Sequence, residues 1–156
     1  MAAFVIPRDD AGNVVPHDHP DLQGDNRVIR RISEQFIVPS ATGGRRLSSA
    51  VFKNDARQGH LSLDSEKCIL AIPEEPAAYV TTPVWVGALI ISGTQFQAVQ
   101  QPKKGDAIWQ MGMVPVDGND CHAGVWGKIT AGNSNELQRR SDWLVPIPGV
   151  EKLAAA

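Results

Sequence analysis

Runs of apolar and β-branched residues predict the strands of this protein. The segments 27–32 and 84–91 are rich in Val, Ile, Leu or Trp and have the length of strands. The second run is apolar at nearly every position, which predicts a strand that is buried on both faces. Shorter segments of the same character predict further strands at 61–63, 107–114, 122–129 and 143–147, and the segment 36–39 either ends the first strand or begins a second short one. Pro146 cannot donate a ladder hydrogen bond, so we expect this last strand at a sheet edge.

Polar residues ahead of apolar stripes predict short helices between these strands. Ser and Asp side chains accept hydrogen bonds from the first N–H groups of a helix, so they are common at its start. Pro73 and Pro76 exclude a regular element that would run across both. The pattern favours an α+β fold with a mixed or antiparallel sheet and two or three short helices. The expected helices are 94–101 after Ser92 and one from Ser134 to Asp142, with a capped turn or at most a short helix at 66–70 after Asp64 or Ser65.

Three parts of unequal length are expected along the chain. Residues 1–26 are polar and rich in turn-forming Gly, Pro and Asn, which predicts an irregular N-terminal arm. Residues 27–151 are predicted to form a single globular domain, as is usual for a chain of 156 residues. Residues 152–156 read Lys-Leu-Ala-Ala-Ala and look like an expression-vector remnant, with a native alanine tail as the alternative, so they are left out of the fold prediction.

The charge of the chain is balanced overall but uneven along its length. There are 15 Lys and Arg residues against 17 Asp and Glu residues, a formal charge of −2. This balance argues against a protein that wraps nucleic acid by neutralising phosphates. Basic residues are concentrated in 27–57, where Phe36 and Phe52 are the aromatic residues that could stack on bases. Nucleic-acid binding therefore stays open but is not favoured. The basic residues of this segment are Arg27, Arg30, Arg31, Arg45, Arg46, Lys53 and Arg57.

The apolar runs and the cysteines indicate the cellular setting. No apolar run approaches the roughly 18–20 residues of a membrane helix, and the N-terminus lacks the basic start of a secretory signal. Cys68 and Cys121 lie far apart in the sequence, and we expect them to be reduced thiols, with a disulfide as the minor alternative. A cytoplasmic protein without membrane association is expected.

Four separate segments carry polar residues that could form one site. A guanidinium can bind a phosphate or carboxylate with two hydrogen bonds, and hydroxyl groups can orient that anion. An imidazole near a carboxylate can transfer a proton. The expected ligand-binding residues are Arg30, Arg31, Arg46, Ser48, Ser62, Asn119 and Lys128. The expected catalytic residues, if the protein is an enzyme, are Ser49, Asp64 and His122.

The order of short motifs between residues 27 and 147 resembles that of a set of short bacterial proteins without a known activity. In that pattern an Arg-Arg strand precedes Arg-x-Ser-Ser-x-x-Phe, Leu-Ser-x-Asp, Asn-x-x-His-Ala, Gly-Lys and a Trp shortly before Pro. This chain departs from it at Asp120-Cys121, where Pro-Ala is expected. The resemblance implies a bacterial protein and strengthens Ser49, Asp64 and His122 as site residues, but it implies no reaction. The matching segments are 30–31, 46–52, 61–64, 119–123, 127–128 and 143–146.

No metal or cofactor site is expected. His17 and His19 lie in the Pro-rich arm, where we expect them to be solvated, and the chain lacks the paired-ligand spacings of structural zinc sites. The segment 124–128 lacks the first glycine of a P-loop and the Ser or Thr after its lysine. The tryptophans are expected to pack in the core on their strands; they are Trp85, Trp109, Trp126 and Trp143.

Two functional hypotheses follow from these residues. In the first, a small protein recognises an anionic ligand, or a partner protein encoded nearby, through an Arg/Ser/Asp/His site. In the second, a small enzyme acts on a nucleotide or phosphoester, with His122 as general acid–base and Arg31 stabilising developing charge. A Ser–His–Asp hydrolase also stays open because catalytic triads are defined by geometry, although the chain has no Gly-x-Ser-x-Gly motif.

Overall fold

An antiparallel sheet of six strands organises the fold. The computed structural model describes residues 3–54, 59–82, 84–100 and 107–155. The strands of this sheet, in chain order, are β1 (Arg27–Ile32), β4 (Leu61–Ser65), β5 (Gly87–Ser92), β6 (Gln110–Met113), β7 (His122–Trp126) and β8 (Asp142–Val145). Their spatial order is β6-β7-β4-β1-β5-β8, so β1 and β4 lie at the centre and β6 and β8 at the edges. The edge position predicted for the last of these strands is confirmed.

A smaller sheet and four helices complete the described part of the chain. The smaller sheet has the order β2-β3-β9, in which β3 and β9 run parallel. Its strands are β2 (Ile37–Pro39), β3 (Arg45–Leu47) and β9 (Val150–Glu151). The helices are α1 (Glu66–Ala71), α2 (Pro76–Val80), α3 (Gly93–Val99) and α4 (Ala131–Arg140), with 3₁₀ turns at Pro20–Leu22 and Glu34–Phe36. The α+β class is therefore confirmed, while β3, β9 and α2 are elements that the sequence pattern did not predict.

Two of the predicted helix starts are confirmed, and one is wrong. The Ser65 hydroxyl accepts a hydrogen bond from the Cys68 amide at the start of α1, and that of Ser92 accepts one from the Gln95 amide at the start of α3. Helix α4 begins three residues before its expected cap, because Thr130 and Asn133 form a reciprocal capping box there. The predicted end of the 94–101 helix falls partly outside the described residues.

Both faces of the large sheet are covered. The larger hydrophobic cluster contains Val28, Leu63 and Leu89, which alternate with residues of the opposite face. A smaller cluster on that opposite face contains Ile29 and Ile90. Strand β5 is buried at every position except its last, as its apolar run predicts. Trp85 lies before this strand and is half-buried, so its predicted place on a core strand is wrong.

The N-terminal arm packs along the edge of the sheet on β6. The Met111 amide donates to Asp18 Oδ1, and the Met113 amide donates to His17 Nε2. The His19 amide donates in turn to the Met111 carbonyl. His17 and His19 are only 7% and 9% exposed, so the expectation that they are solvated is wrong. The arm thus occupies polar backbone groups that an edge strand would otherwise present to solvent.

Residues 152 and 153 also take part in the fold. Lys152 Nζ donates to the carbonyl of Gln138 near the end of α4, at 3.1 Å. The Leu153 amide donates to Gln138 Oε1. A cation at this position complements the negative end of the helix dipole, although burial lowers the pKa of Lys152.

A disulfide joins Cys68 of α1 to Cys121 just before β7, with 5.4 Å between the two Cα atoms. The expectation of two reduced thiols is therefore wrong. Both cysteines lie near the ends of elements that pack together, and this proximity depends on the β4–β7 pairing rather than on sequence distance. None of the helices in the described ranges is long and apolar enough to span a membrane.

Candidate functional site

A cleft of about 560 Å³ opens where the two central strands separate. Strands β1 and β4 pair only through Val28 with Ser65 and Ile29 with Asp64, so their remaining residues are not joined as a ladder. The cleft is lined by Arg30, Arg31, Gln35, Phe36, Ala50, Lys53, Asn54, Leu61, Ser62, Leu63, Asp64, Trp85, Asn119 and His122. Six predicted site residues are among them, from three segments: Arg30, Arg31, Ser62, Asp64, Asn119 and His122.

A buried ion pair forms the base of this site. Arg31 Nε and Nη2 donate to the two carboxylate oxygens of Asp64, at 2.7 Å and 3.2 Å. The Asp64 side chain is 3% exposed, whereas that of Arg31 is 18% exposed. Two parallel hydrogen bonds fix the plane of the guanidinium and balance the charge of the carboxylate. In this geometry Asp64 acts mainly to position Arg31.

Asn119 connects the ion pair to its surroundings. Its Nδ2 donates to Asp64 Oδ1 at 2.7 Å, and its Oδ1 accepts from the Tyr79 hydroxyl and the Cys121 amide. Burial, and after it the Asp64 carboxylate, raises the pKa of Tyr79, so its hydroxyl remains a donor. The Tyr79 ring also lies under the Arg31 guanidinium, 5.7 Å from Cζ. Asn119 therefore orients Asp64, and both its Nδ2 and its Oδ1 already take part in hydrogen bonds.

Arg30 is held differently from Arg31. Its Nε donates to the Val51 carbonyl at 2.7 Å, and its Nη1 donates to the Ser62 carbonyl at 2.9 Å. The guanidinium also lies over the Phe36 ring, 5.2 Å from the centroid. These two hydrogen bonds orient the guanidinium at the gap between β1 and β4.

His122 lies beside Asp64 in the β4–β7 ladder. Its Nδ1 is 2.8 Å from the Val114 carbonyl, which can only accept a hydrogen bond, so Nδ1 carries the proton. The neutral ring then has its lone pair on Nε2. The ring also contacts His60, with 5.7 Å between centroids. His122 thus has the tautomer that a general base requires.

Four predicted site residues lie outside the residues that line the cleft. The Ser48 hydroxyl accepts from the Ala50 amide within a turn, and Ser49 is half-buried in the same turn. Arg46 is exposed on β3 and donates to the neighbouring Leu47 carbonyl. Lys128 is exposed after β7, and its carbonyl accepts from the Trp109 indole. The structure does not bring these four together with His122 and Asp64.

Eight lining residues were not predicted for the site, and five of them carry polar or aromatic side chains: Gln35, Phe36, Lys53, Asn54 and Trp85. Lys53 is exposed at the rim, whereas Asn54 has a structural role because it bonds the Gly127 carbonyl and the Ile129 amide. Most of the five lie in turns or irregular segments, where no periodic pattern points to a common face. The concentration of basic residues in 27–57 is the sequence signal that could have drawn attention to Lys53.

The charges of the described lining residues favour an anion. They comprise three cations, Arg30, Arg31 and Lys53, and one carboxylate, Asp64, which Arg31 already pairs. The net charge of this set is therefore positive by two. The described residues contain no group of three or more His, Cys, Asp or Glu side chains that could hold a metal ion.

Comparison with known proteins identified no relative of this chain. The chain matches no family model, no curated protein and no solved structure.

Proposed function

We propose that the cleft between β1 and β4 binds a small anionic ligand. The charge of the lining carries this proposal, since Arg30, Arg31 and Lys53 line the cleft together with one carboxylate, that of Asp64. The carboxylate of Asp64 is occupied by Arg31 and Asn119, so it does not compete for an incoming anion. Lys53 adds a second positive charge at the rim.

The dimensions of the cleft favour a small molecule over a protein partner. Its volume of about 560 Å³ lies within the range of roughly 300–1,000 Å³ that is typical of ligand pockets. A stable protein interface covers about 800 Å² of surface on each partner, and this area is larger than the surface that lines the cleft. A protein encoded nearby remains an alternative occupant of the same surface.

A second candidate function, hydrolysis or transfer of a phosphoester, is supported by His122. The ring lines the cleft with Nδ1 held by the Val114 carbonyl, which leaves Nε2 as the basic nitrogen. A base in this tautomer could accept a proton from a nucleophile, while Arg30 stabilises negative charge on the phosphoryl oxygens. Ser49, which the sequence suggested as a catalytic residue, is not among the residues that line the cleft.

Two lysines provide a matched test of anion binding. Lys53 and Lys128 are both exposed, but only Lys53 is among the lining residues. Titration calorimetry with phosphate, pyrophosphate and citrate should show binding that weakens about threefold or more in Lys53→Gln and with added salt. Lys128→Gln should bind like the wild type. If no anion binds, or if both variants weaken binding equally, the proposal is wrong.

The enzyme candidate has its own readout. The protein should hydrolyse an activated aryl phosphodiester, and His122→Gln should lower the rate by roughly a hundredfold or more. Anion affinity should change little in that variant. If the protein binds anions but hydrolyses no phosphodiester, the anion-binding proposal stands and the enzyme candidate is wrong.

The cytoplasmic, bacterial setting expected from the sequence stays a prediction. This prediction rests partly on reduced cysteines, whereas a disulfide such as Cys68–Cys121 is typical of oxidising compartments. Alkylation of free thiols in intact source cells, followed by mass spectrometry of the Cys68 and Cys121 peptides, tests this expectation directly.

A further inference from the structure

Trp85 differs from the other tryptophans in what surrounds it. Trp109 is 1% exposed and its indole donates to the Lys128 carbonyl, and Trp126 contacts His17 at 5.4 Å between ring centroids. Trp143 packs against the larger hydrophobic cluster. Within the described ranges, Trp85 has no ring contact, no indole hydrogen bond and no place in either cluster.

The backbone nevertheless fixes Trp85 at one position. Its amide donates to the Thr82 carbonyl, and the Val86 amide donates to the Ile32 carbonyl at the end of β1. The residue is therefore anchored beside the strand that carries Arg30, and it lines the same cleft. A large apolar ring that lines a cleft together with cations is a feature that a core-packing role does not explain, because such rings normally gain stability by packing.

From this arrangement we infer that the ligand is an aromatic anion, a planar ring that bears a phosphate or carboxylate group. The ring stacks on Trp85, and the anionic group lies against Arg30 and Lys53. The inference rests on the proposed function, since it names the class of anion that the cleft takes. Nucleotides and aryl carboxylates share this chemistry, so the two sources are distinguished by experiment.

The test compares aromatic anions with anions that lack an aromatic ring (ring-free anions), and adenosine monophosphate and ribose 5-phosphate differ only in the aromatic base. Wild-type protein is titrated with adenosine monophosphate, 2-naphthoate, ribose 5-phosphate and inorganic phosphate, with calorimetry and tryptophan fluorescence as readouts. At least one aromatic anion should bind roughly tenfold more tightly than the ring-free anions and should quench the fluorescence. A preference for adenosine monophosphate indicates a nucleotide, and a preference for naphthoate indicates an aryl carboxylate.

Variants at position 85 assign the effect to the indole. Trp85→Leu should remove the advantage of the aromatic anion and leave ring-free phosphate binding unchanged, while Trp85→Phe should retain most of it. Val84→Ala, at an exposed neighbouring position, is the control. Wild-type quenching that persists in Trp85→Phe would place the ring elsewhere and overturn the inference, even if Trp85→Leu fails to fold.

The two proposals fail in different ways. Equal affinity for aromatic and ring-free anions overturns the aromatic class and leaves anion binding intact. Absence of binding by every anion overturns both.

Discussion

Arg31 donates two hydrogen bonds to Asp64, and the carboxylate that receives them is 3% exposed. Removing Arg31 leaves this buried carboxylate without its counterion. Arg31→Gln should therefore lower the free energy of unfolding by about 3–5 kcal/mol, measured by urea denaturation.

A surface ion pair provides the control for this prediction. Arg27 contacts Glu66, but the Arg27 side chain is 47% exposed. Arg27→Gln should cost about 1 kcal/mol or less. Equal losses in the two variants would show that burial does not set the cost of breaking the Arg31–Asp64 pair.

The disulfide should contribute substantially to stability. It closes a loop with a sequence separation of 53 residues, and the chain-entropy estimate for such a loop is about 4 kcal/mol. The Cys68→Ser/Cys121→Ser variant should lose about that amount in urea denaturation. Reducing agent should destabilise the wild type and leave the double variant unchanged. Two free thiols in the native wild-type protein would contradict the bond.

His19 should make stability depend on pH. Burial lowers its pKa below the ordinary value of 6.5, an effect that His17 and Lys67 reinforce and Asp21 opposes. Its Nδ1 also accepts the Asp21 amide, a hydrogen bond that protonation abolishes. The unfolded chain then binds the proton more readily, so stability is full above about pH 6.5 and falls as the pH drops below it.

Replacement by an uncharged capping residue isolates this effect. In His19→Asn the amide oxygen can still accept from the Asp21 amide, but the residue does not titrate. Urea denaturation between about pH 5 and 7 should give a smaller slope of stability against pH in this variant. An unchanged slope would assign the pH dependence to other groups.

Gly112 should be intolerant of a side chain because His17 crosses it closely. A Cβ atom there would lie 2.5 Å from the His17 ring and 2.8 Å from its carbonyl oxygen. Gly112→Ala should destabilise the protein by roughly 1–3 kcal/mol and expose the N-terminal arm to limited proteolysis.

The matched control is another glycine-to-alanine change. At Gly132 in α4 a Cβ atom would meet only Thr130 Oγ1, at 3.8 Å. Gly132→Ala should raise stability by about 0.4–1 kcal/mol. A neutral Gly112→Ala would mean that the arm does not dock on β6 as described.

The elements that the sequence predicted are those with local causes. Ser65 and Ser92 cap helices within three residues of themselves, so their roles are readable from neighbouring positions. Ser134 lies in a similar context, but its hydroxyl accepts the amide of Phe52, 82 residues away. With that group engaged, the capping box at Thr130 sets the start of α4. Ser134 and Thr130 are both suitable caps by their local sequence, and the tertiary contact of Ser134 with Phe52 leaves Thr130 as the cap of α4.

The site shows the same division. Arg31, Asp64 and His122 carry recognisable chemistry, and strand register alone brings the last two side by side. Lys53 and Trp85 lie in irregular segments whose path depends on the whole fold, so no spacing rule points to them. The disulfide follows from the same register, because Cys121 comes immediately before the residue that pairs with Asp64.

The short pairing between β1 and β4 has a mechanical consequence. The large sheet consists of two three-stranded halves, β6-β7-β4 and β1-β5-β8, and only two residue pairs join them directly. Arg30 and Arg31 bridge the same line through Ser62 and Asp64. A ligand bound there would act as a further cross-link, so its affinity and the rigidity of the sheet would be coupled along one seam.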